Sequence, residues 1–333
     1  MQLRVAVIGA GSWGTTVASV AARHNDTMIW ARRDDIAAEI NSEHTNSTYL
    51  GDAALPKTLR ATSDLEEAVV FSDVLVMGVP SHTMRDVLGD VSKWIRPWVP
   101  VVSLAKGLEQ DTMLRMTEII GEVLPGHPAG ALTGPNIAKE IIAGYAAASV
   151  IAMDSPRVVR EIQKVFTTGL FRVYTNADVV GCEVGGALKN VIAIAAGMAD
   201  GVGVGDNTRA AVITRGLAEL SRLGEAMGGK PSTFSGLAGM GDLLVTSISP
   251  HSRNRHVGEE LGKGRTLQEI LDDMHMVAEG VKTSKVVMEL ADRLGLDMPI
   301  AAEVYEVVHG DSTAMRAYRG LVHHEAGAEN EPG

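Results

Sequence analysis

Cysteine and phenylalanine are scarce in this chain, and it has no surplus of positive charge. Because Cys182 is the only cysteine, an internal disulfide and a cysteine-based zinc site are both excluded. The formal net charge of −11 argues against broad electrostatic capture of nucleic acid or of an anionic membrane. Four phenylalanines against 36 glycines indicate tight turns and closely packed helices rather than an aromatic-filled β-sandwich.

Long apolar runs are also lacking. The longest uncharged apolar stretch, Val191–Ala199, is far shorter than the ~20 residues that cross a bilayer. The first apolar run, Leu3–Ile8, leads into a glycine-rich turn and not into a small-residue cleavage site. We therefore expect a cytoplasmic protein without a membrane span, in which the glycosylation sequons at Asn25 and Asn46 are chance matches.

The length and composition suit two domains, since 333 residues, 45% of them hydrophobic, can form two separate cores. In the first half, short β-rich runs alternate with segments of helical periodicity, which predicts a mostly parallel Rossmann-type sheet with helices on both faces. The predicted strands are Leu3–Ile8, Thr27–Ala31, Val74–Val79, Val101–Leu104, Ala147–Ile151 and Phe171–Tyr174. The predicted helices between them are Trp13–Arg23, Ser81–Val91, Thr112–Val123 and Pro156–Phe166.

Strand-like runs largely stop after about Tyr174. Long helical segments replace them, at Glu183–Asp200, Thr208–Met227, Arg255–Leu261, Val281–Leu294 and Ile300–Val308. The fold class is therefore predicted as α/β, with a Rossmann-type domain over residues 1–178 and an all-α domain over residues 179–324. Residues 325–333 are polar and acidic, which predicts a flexible tail.

A glycine-rich motif, Gly9-Ala10-Gly11-Ser12-Trp13-Gly14, follows the first predicted strand and opens a helix. It fits G-x-G-x-x-G, the fingerprint of dinucleotide-binding βαβ units. Gly9 permits the tight turn, Gly11 lets a pyrophosphate approach the backbone, and Gly14 allows close packing of strand and helix. The N-terminus of the helix adds N–H donors and a positive dipole. The motif predicts a nicotinamide dinucleotide cofactor.

The end of the second predicted strand bears on which cofactor binds. An NAD-preferring site places a carboxylate there for the ribose hydroxyl, whereas this strand ends in Arg32-Arg33, which can pair with a 2′-phosphate. Asp34 is the competing candidate, and a solvated turn is the alternative for both arginines. We favour NADP, with use of NAD and NADP both left open.

Lys189 is the one cation within an otherwise uncharged helical segment of the second half. Gly185, Gly186, Ile192 and Ala193 share its helix face, and these mostly small residues leave room for a ligand or for a second backbone. A lysine in this setting can have a lowered pKa and act as an acid or base. It can equally extend to the surface over small neighbours, and the segment alone does not decide between the two.

Four further segments carry charged or polar groups in places where ligands bind. Lys106 stands at the carboxyl end of a predicted strand, and residues 132–140 predict a strand, a turn and a helix start. Asp242 is the carboxylate of a run of small residues, and the donor-rich residues 252–255 begin a helix, as a phosphate site would. The ten histidines show no metal-ligand spacing, so no metal site is predicted.

Together these segments resemble the prokaryotic-type NAD(P)-dependent glycerol-3-phosphate dehydrogenases, from Gly9 to about Pro299. The matching strings, in chain order, are GAGSWGT, VPSH, AKGLE, GPNIAKE, GGALKNVIAIAAGMADG, TRGLAEL, GLAGMGDLLVT, SRNR and VAEG. Several such strings in order are far more specific than any one motif. The chain departs from the family at Asn136, where Ser or Thr is frequent, although Asn also donates and accepts hydrogen bonds.

The resemblance implies a role for each matching position. Lys189 would be the proton-transfer residue with Asn190 beside it, and Asp242 would orient Lys189 or a substrate hydroxyl. The implied cofactor contacts are Ser12, Trp13, Arg32, Arg33, Lys106, Ala138, Arg253, Val277 and Glu279. The implied substrate contacts are Lys106, Gly134, Asn136, Lys189, Asp242, Thr246, Ser252, Arg253 and Asn254.

The activity that the resemblance implies is reversible reduction of dihydroxyacetone phosphate by NAD(P)H to sn-glycerol 3-phosphate, the backbone precursor of glycerophospholipids. One alternative is a β-hydroxyacid dehydrogenase of similar architecture, which would recognise a carboxylate instead of a phosphate. Another is a non-catalytic nucleotide sensor, although binding the dinucleotide alone would not need Lys106, Lys189, Asp242 and Arg253 together. The oligomeric state stays open, with a homodimer as one option.

Overall fold

The computed structural model describes residues 2–274 and 278–323 and divides the chain into two compact units. The first unit comprises Met1–Ala105 and Leu114–Val179, and the second comprises Lys106–Met113 and Val180–Gly333. The predicted first domain, 1–178, includes Lys106–Met113, which the structure groups with the second unit. This segment belongs to the second unit because Leu108 packs in its core and the carbonyl of Lys106 accepts a hydrogen bond from Asn190. The predicted tail, 325–333, lies outside the described residues.

The first unit contains an eight-stranded sheet in the order β3-β2-β1-β4-β5-β6-β7-β8. Its strands are β1 Arg4–Ile8, β2 Asp26–Trp30, β3 Leu59–Thr62, β4 Val74–Met77, β5 Val101–Ser103, β6 Ala129–Thr133, β7 Ala147–Met153 and β8 Phe171–Asn176. Among these described strands, neighbouring pairs are parallel except β6 and β7. The prediction of a mostly parallel Rossmann-type sheet is confirmed.

Both faces of this sheet are covered, as the apolar composition of the strands predicted. Along β1, Val5 and Val7 pack into one hydrophobic cluster, whereas Ala6 and Ile8 pack into a second. Successive side chains of a strand point to opposite faces, so the two clusters lie on opposite sides of the sheet. The helices of this unit are α1 Ser12–Ala21, α2 Asp34–Ser42, α3 Ser47–Leu50, α4 Leu65–Phe71, α5 Met84–Val91, α6 Met116–Val123, α7 Ala138–Ile142 and α8 Pro156–Phe166, with a 3₁₀ turn at Ser81–Thr83.

The second unit is helical and contains no strand among its described residues, which confirms the all-α prediction. Its helices are α9 Val179–Val202, α10 Asp206–Ala226, α11 Pro231–Phe234, α12 Asp242–Ile248, α13 Arg253–Gly262, α14 Leu267–Asp272, α15 Glu279–Leu294, α16 Pro299–His309 and α17 Ala314–His323. A short π-helix, Leu237–Gly241, leads directly into α12. In the described chain α9 alone is long and apolar enough to span a membrane, but 94% of its apolar window is buried in the protein, as in a core helix.

Glycines allow α9 and α13 to pack with their backbones in contact. A Cβ atom at Gly197 would lie 2.0 Å from the carbonyl oxygen of Arg255, and one at Gly258 would lie 2.0 Å from the carbonyl oxygen of Ile194. Real Cβ atoms do not approach backbone so closely, so larger residues at these positions would force the helices apart. This packing fixes Asn190 on α9 relative to Asn254 on α13.

Candidate functional site

The glycine-rich fingerprint lies where β1 and β4 meet at the centre of the sheet, the point at which strand order reverses. Ligands of open α/β sheets bind outside the carboxyl ends of the strands at this point. Gly9 has φ +116°, a conformation that favours glycine, and a Cβ atom there would lie 2.8 Å from the carbonyl oxygen of Gly78. Gly14 is equally constrained, because its Cβ would lie 2.0 Å from the carbonyl oxygen of Gly9.

The same turn leaves one side open for a dinucleotide. A Cβ atom at Gly11 would meet nothing within 4 Å, and Gly11 precedes α1, whose first turn has no acidic residue. The indole nitrogen of Trp13 is buried without a hydrogen-bond partner among the described residues. An open backbone, a helix N-terminus and an unsatisfied buried donor together fit the pyrophosphate and polar groups of a dinucleotide.

The two arginines after β2 are not equivalent. Arg33 donates two hydrogen bonds to the carboxylate of Asp35, and both side chains are exposed. Arg32 is also exposed, and it forms no ion pair with any described residue. Asp34 is the first residue of α2, where a carboxylate is favoured by the helix dipole. Arg32 is therefore the more available partner for an anionic group.

The predicted Gly134-Pro135-Asn136 turn is formed between β6 and α7. Gly134 has φ +119°, and Asn136 donates a hydrogen bond from Nδ2 to Ser149 Oγ, 3.1 Å away. The Oδ1 atom of Asn136 is buried with no partner in the described part of the chain. Ala138 is the first residue of α7. The turn thus presents an acceptor that a ligand hydroxyl can satisfy.

Lys106, Lys189, Asp242 and Thr246 form one hydrogen-bonded cluster in the second unit. Lys189 Nζ lies 2.5 Å from Asp242 Oδ1, and Lys106 Nζ lies 2.6 Å from Asp242 Oδ2. Thr246 Oγ1 donates a hydrogen bond to the carbonyl oxygen of Asp242 and accepts one from Lys189 Nζ, and each of these bonds is 2.6 Å long. One buried carboxylate is therefore shared by two ammonium groups. The interpretation of Lys189 as a surface lysine is wrong, since only 5% of the residue is exposed.

Small residues bring this cluster together. A Cβ atom at Gly185 on α9 would lie 2.7 Å from the carbonyl oxygen of Ala238, which belongs to the π-helix. The small face beside Lys189 thus receives a second backbone, one of the two options left open by the sequence. The π-helix ends at Gly241, so α12 starts with Asp242, which is 1% exposed. Irregular helical turns of this kind are frequent at functional sites.

Burial lowers the pKa of Lys189 to about 7. Loss of hydration is the largest cause, because it disfavours the charged ammonium. The carboxylate of Asp242 opposes this shift, and the like charge of Lys106 adds to it. A lysine that titrates near neutral pH can both donate and accept a proton, which is the requirement for a general acid–base group.

A chain of side-chain amides lies beside the lysine cluster. Asn190 donates from Nδ2 to the carbonyl of Lys106, 3.0 Å away, and its Oδ1 accepts from Asn254 Nδ2, 2.9 Å away. Asn254 Oδ1 in turn accepts from the backbone N–H of Gly280 at 2.9 Å. The amides therefore connect the loop that carries Lys106 to the start of α15.

The predicted phosphate-binding segment begins α13. Ser252 is the N-cap residue and accepts a hydrogen bond from the backbone N–H of Arg255, 3.2 Å away. Arg253 is the first helical residue, and its guanidinium interacts electrostatically with Glu279 at the start of α15. Val277, the remaining predicted cofactor contact, lies outside the described residues.

Sequence reasoning missed Gly78, which contacts the fingerprint. A Cβ atom at Gly78 would lie 3.2 Å from both the Cα atom of Gly14 and the carbonyl oxygen of Gly9. The available signal was a glycine that directly follows β4, the strand beside β1 at the switch point.

Comparison with known proteins also divides the chain into two parts. The N-terminal domain of the NAD-dependent glycerol-3-phosphate dehydrogenases matches residues 4–159, and their C-terminal domain matches residues 178–319. The chain is 58% identical to glycerol-3-phosphate dehydrogenase [NAD(P)+] 2 of Sphingopyxis alaskensis over 333 residues, 100% of both proteins. It is 48% identical to glycerol-3-phosphate dehydrogenase [NAD(P)+] of Geobacter sulfurreducens over 333 residues, 99% of each.

A solved structure agrees with these relatives. The crystal structure of glycerol-3-phosphate dehydrogenase from Coxiella burnetii is similar with a TM-score of 0.93 and 33% sequence identity, covering 97% of this chain and 99% of that one. Both halves of the chain and its whole length thus match one family. The protein belongs to the NAD-dependent glycerol-3-phosphate dehydrogenases.

Proposed function

We propose that this protein reduces dihydroxyacetone phosphate to sn-glycerol 3-phosphate with NADPH or NADH, and that Lys189 is its proton-transfer residue. The observation that carries the proposal is the buried cluster in which Lys189 and Lys106 share Asp242. Reduction of a ketone needs a hydride at carbon and a proton at oxygen. The cofactor supplies the hydride when bound, and the protein supplies the proton and the orientation.

In reduction, the ammonium of Lys189 donates a proton to the oxygen at C2 of the substrate as negative charge develops there. Asp242 holds this ammonium at 2.5 Å, and Thr246 accepts a second hydrogen bond from it, so its direction is fixed before the reaction. Lys106 adds a second positive charge beside the first. In the reverse reaction, neutral Lys189 accepts the hydroxyl proton.

The reaction itself is tested by following NADH and NADPH oxidation at 340 nm with dihydroxyacetone phosphate and, separately, with a panel of β-keto acids. We expect turnover of the phosphate substrate and little of the acids. Turnover of a keto acid instead would identify a β-hydroxyacid dehydrogenase. Cofactor binding with no turnover of any triose phosphate would identify a nucleotide sensor.

The remaining ligand contacts are proposed from their positions. Gly9, Gly11, Ser12, Trp13, Gly14, Ala138 and Glu279 are assigned to the cofactor, and Gly134, Asn136, Thr246, Ser252 and Asn254 are assigned to the substrate. The product would serve as backbone for glycerophospholipids. A cytoplasmic location and a homodimer belong to the same proposal.

NADP is the favoured cofactor, and this preference predicts the effect of replacing Arg32 and Arg33 with Ser. The double variant should weaken NADPH binding about 10- to 100-fold more than NADH binding, because a charge-assisted contact to the 2′-phosphate is worth roughly 1.5–3 kcal/mol. Dissociation constants for both cofactors measure the effect. Arg32→Ser alone should account for most of it, since Arg33 already pairs with Asp35.

Arg23→Ser is the matched control, because Arg23 is an exposed arginine of the same unit outside the proposed site. It should leave both dissociation constants unchanged. Equal losses of NADPH and NADH affinity in the double variant would contradict the assignment of the arginines to the 2′-phosphate.

Replacement of Arg253 with Ala is expected to raise KM for dihydroxyacetone phosphate by about 10- to 100-fold. The reason is that the substrate phosphate would lose its hydrogen bonds to the guanidinium at the start of α13. Arg253→Lys should restore part of the affinity, since a point charge replaces a planar fork. Steady-state kinetics at saturating NADPH provide the measurement, with the exposed Arg293→Ala as control. An unchanged KM would place the phosphate elsewhere.

A further inference from the structure

Asn46 is a buried polar residue that contacts the glycine-rich fingerprint. It is 0% exposed and precedes α3. Its Nδ2 atom donates to the carbonyl oxygen of Ala10 and to Oγ1 of Thr15, both 2.9 Å away. One amide group therefore connects the fingerprint turn to the first turns of α1. Because Asn46 is buried and its amide nitrogen donates both of these hydrogen bonds, it is also unsuited to glycosylation.

The bond to Ala10 controls the direction of the neighbouring N–H group. In a planar trans peptide the carbonyl of Ala10 and the N–H of Gly11 point in opposite directions. Asn46 holds this carbonyl toward the protein interior, so the N–H of Gly11 is turned to the other side of the peptide. Gly11 is also the position at which a Cβ atom would meet nothing within 4 Å. A backbone N–H at a position with free space beside it, at the N-terminus of a helix, is suited to bind a pyrophosphate.

The bond to Thr15 fixes the same peptide plane relative to the helix. The backbone N–H of Thr15 donates a 2.9 Å hydrogen bond to the carbonyl oxygen of Gly11, while the side chain of Thr15 accepts one from Asn46. Rotation of the Ala10–Gly11 peptide would therefore break the bond between Asn46 and Ala10 and disturb the first turn of α1. Buried hydrogen bonds of this kind are costly to break without replacement.

The segment that carries Asn46 is itself anchored on both sides. Ser12 Oγ donates to the carbonyl of Tyr49, 3.1 Å away, which makes a second bond between the fingerprint and this segment. Glu39 on α2 accepts hydrogen bonds from Thr45 Oγ1 at 2.8 Å and from the backbone N–H of Ser47 at 2.6 Å. These hydrogen bonds fix the backbone on either side of Asn46, so its side chain is held in place against the glycine-rich turn.

We propose that Asn46 is a positioning residue of the dinucleotide site, which aims the N–H of Gly11 at the pyrophosphate through the carbonyl of Ala10. The inference rests on the cofactor use proposed above. The pyrophosphate is common to NADH and NADPH, so Asn46 should affect both cofactors equally. In this respect it should differ from Arg32 and Arg33, which act on the 2′-phosphate.

The test replaces Asn46 with Leu, which has a similar volume without a donor, and with Asp, which adds a negative charge. Dissociation constants for NADH and NADPH are measured by fluorescence titration without substrate. Both variants should raise both constants about tenfold or more, with KM for dihydroxyacetone phosphate nearly unchanged. Ser47→Ala, which removes a neighbouring hydroxyl that bonds to Glu39, is the matched control and should leave the constants unchanged.

Two outcomes would overturn the proposal. The first is a folded Asn46→Leu protein with a lower melting temperature and unchanged constants, which would show a role in stability only. The second is weaker binding in Asn46→Asp alone, which would show a charge effect.

If neither variant folds, Thr15→Val tests the hydrogen bond between Asn46 and Thr15 instead, and its dissociation constants for NADH and NADPH should rise about threefold. Unchanged constants in Thr15→Val would also overturn the proposal. Turnover by the wild-type protein tests the proposed activity independently.

Discussion

Replacement of Lys189 with Met is expected to lower kcat for dihydroxyacetone phosphate reduction by about 10²- to 10⁴-fold, the usual contribution of a general acid. The ammonium stabilises charge that appears only as the hydride arrives, so its loss should act on kcat more than on substrate binding. The fold should survive, because Met keeps the apolar stem and Asp242 keeps its bond to Lys106. Cofactor affinity and the circular dichroism spectrum check that the variant is intact.

Lys285→Met is the matched control for this variant. Lys285 lies in the same unit, but its side chain is exposed and its ion pair with Glu289 is long, at 3.9 Å. It should keep the wild-type rate. A folded Lys189→Met protein whose kcat stays within about threefold of wild type would refute the proton-transfer role. Lys106 would then become the next candidate.

Much of the fold was predictable because its local signals agree with the tertiary structure. The helix predicted over Pro156–Phe166 forms with those bounds, since Ser155 caps it and proline occupies its first position. Short or weak strands were harder to predict. Leu59–Thr62 has two exposed or half-exposed positions, so it lacks the continuous apolar pattern of a central strand. The antiparallel pairing of β6 with β7 depends on tertiary contacts that local patterns do not encode.

The candidate site was predictable only in part. The family resemblance implied Lys189, Asp242 and Thr246 as site residues, but the helical segment around Lys189 could not by itself decide between a buried and an exposed lysine. That choice depends on the backbone of Ala238, which packs against Gly185 although the two residues are 53 positions apart in the sequence. Placement of Lys106 in the second unit likewise depends on long-range contacts with Asn190 and Asp242. Local periodicity carries no information about such pairs.

Replacement of Asp242 with Asn is expected to move the pH dependence of reduction toward acid. In the wild-type protein the pKa of Lys189 is about 7, so kcat/KM for reduction should fall as pH rises through that value and the ammonium is lost. The variant removes the carboxylate that favours the ammonium and leaves the like charge of Lys106 beside it. Loss of the carboxylate therefore lowers the pKa of Lys189 further, by about one unit or more. At pH 8 the loss of kcat/KM should be about tenfold for each unit by which the pKa falls, because the protonated fraction of Lys189 falls by that factor.

The pH profile separates two roles for Asp242. If Asp242 acts on Lys189, the variant should recover part of its activity as pH is lowered from 8 to 6, because the lysine becomes protonated again. If Asp242 instead only orients a substrate hydroxyl, kcat/KM should fall by the same factor at every pH. Asp311→Asn, which changes an exposed carboxylate of the same unit, should keep the wild-type profile. An unshifted profile in a folded Asp242→Asn protein would therefore assign the carboxylate to the substrate, and it would show that Asp242 does not oppose the lowering of the Lys189 pKa by burial and by Lys106.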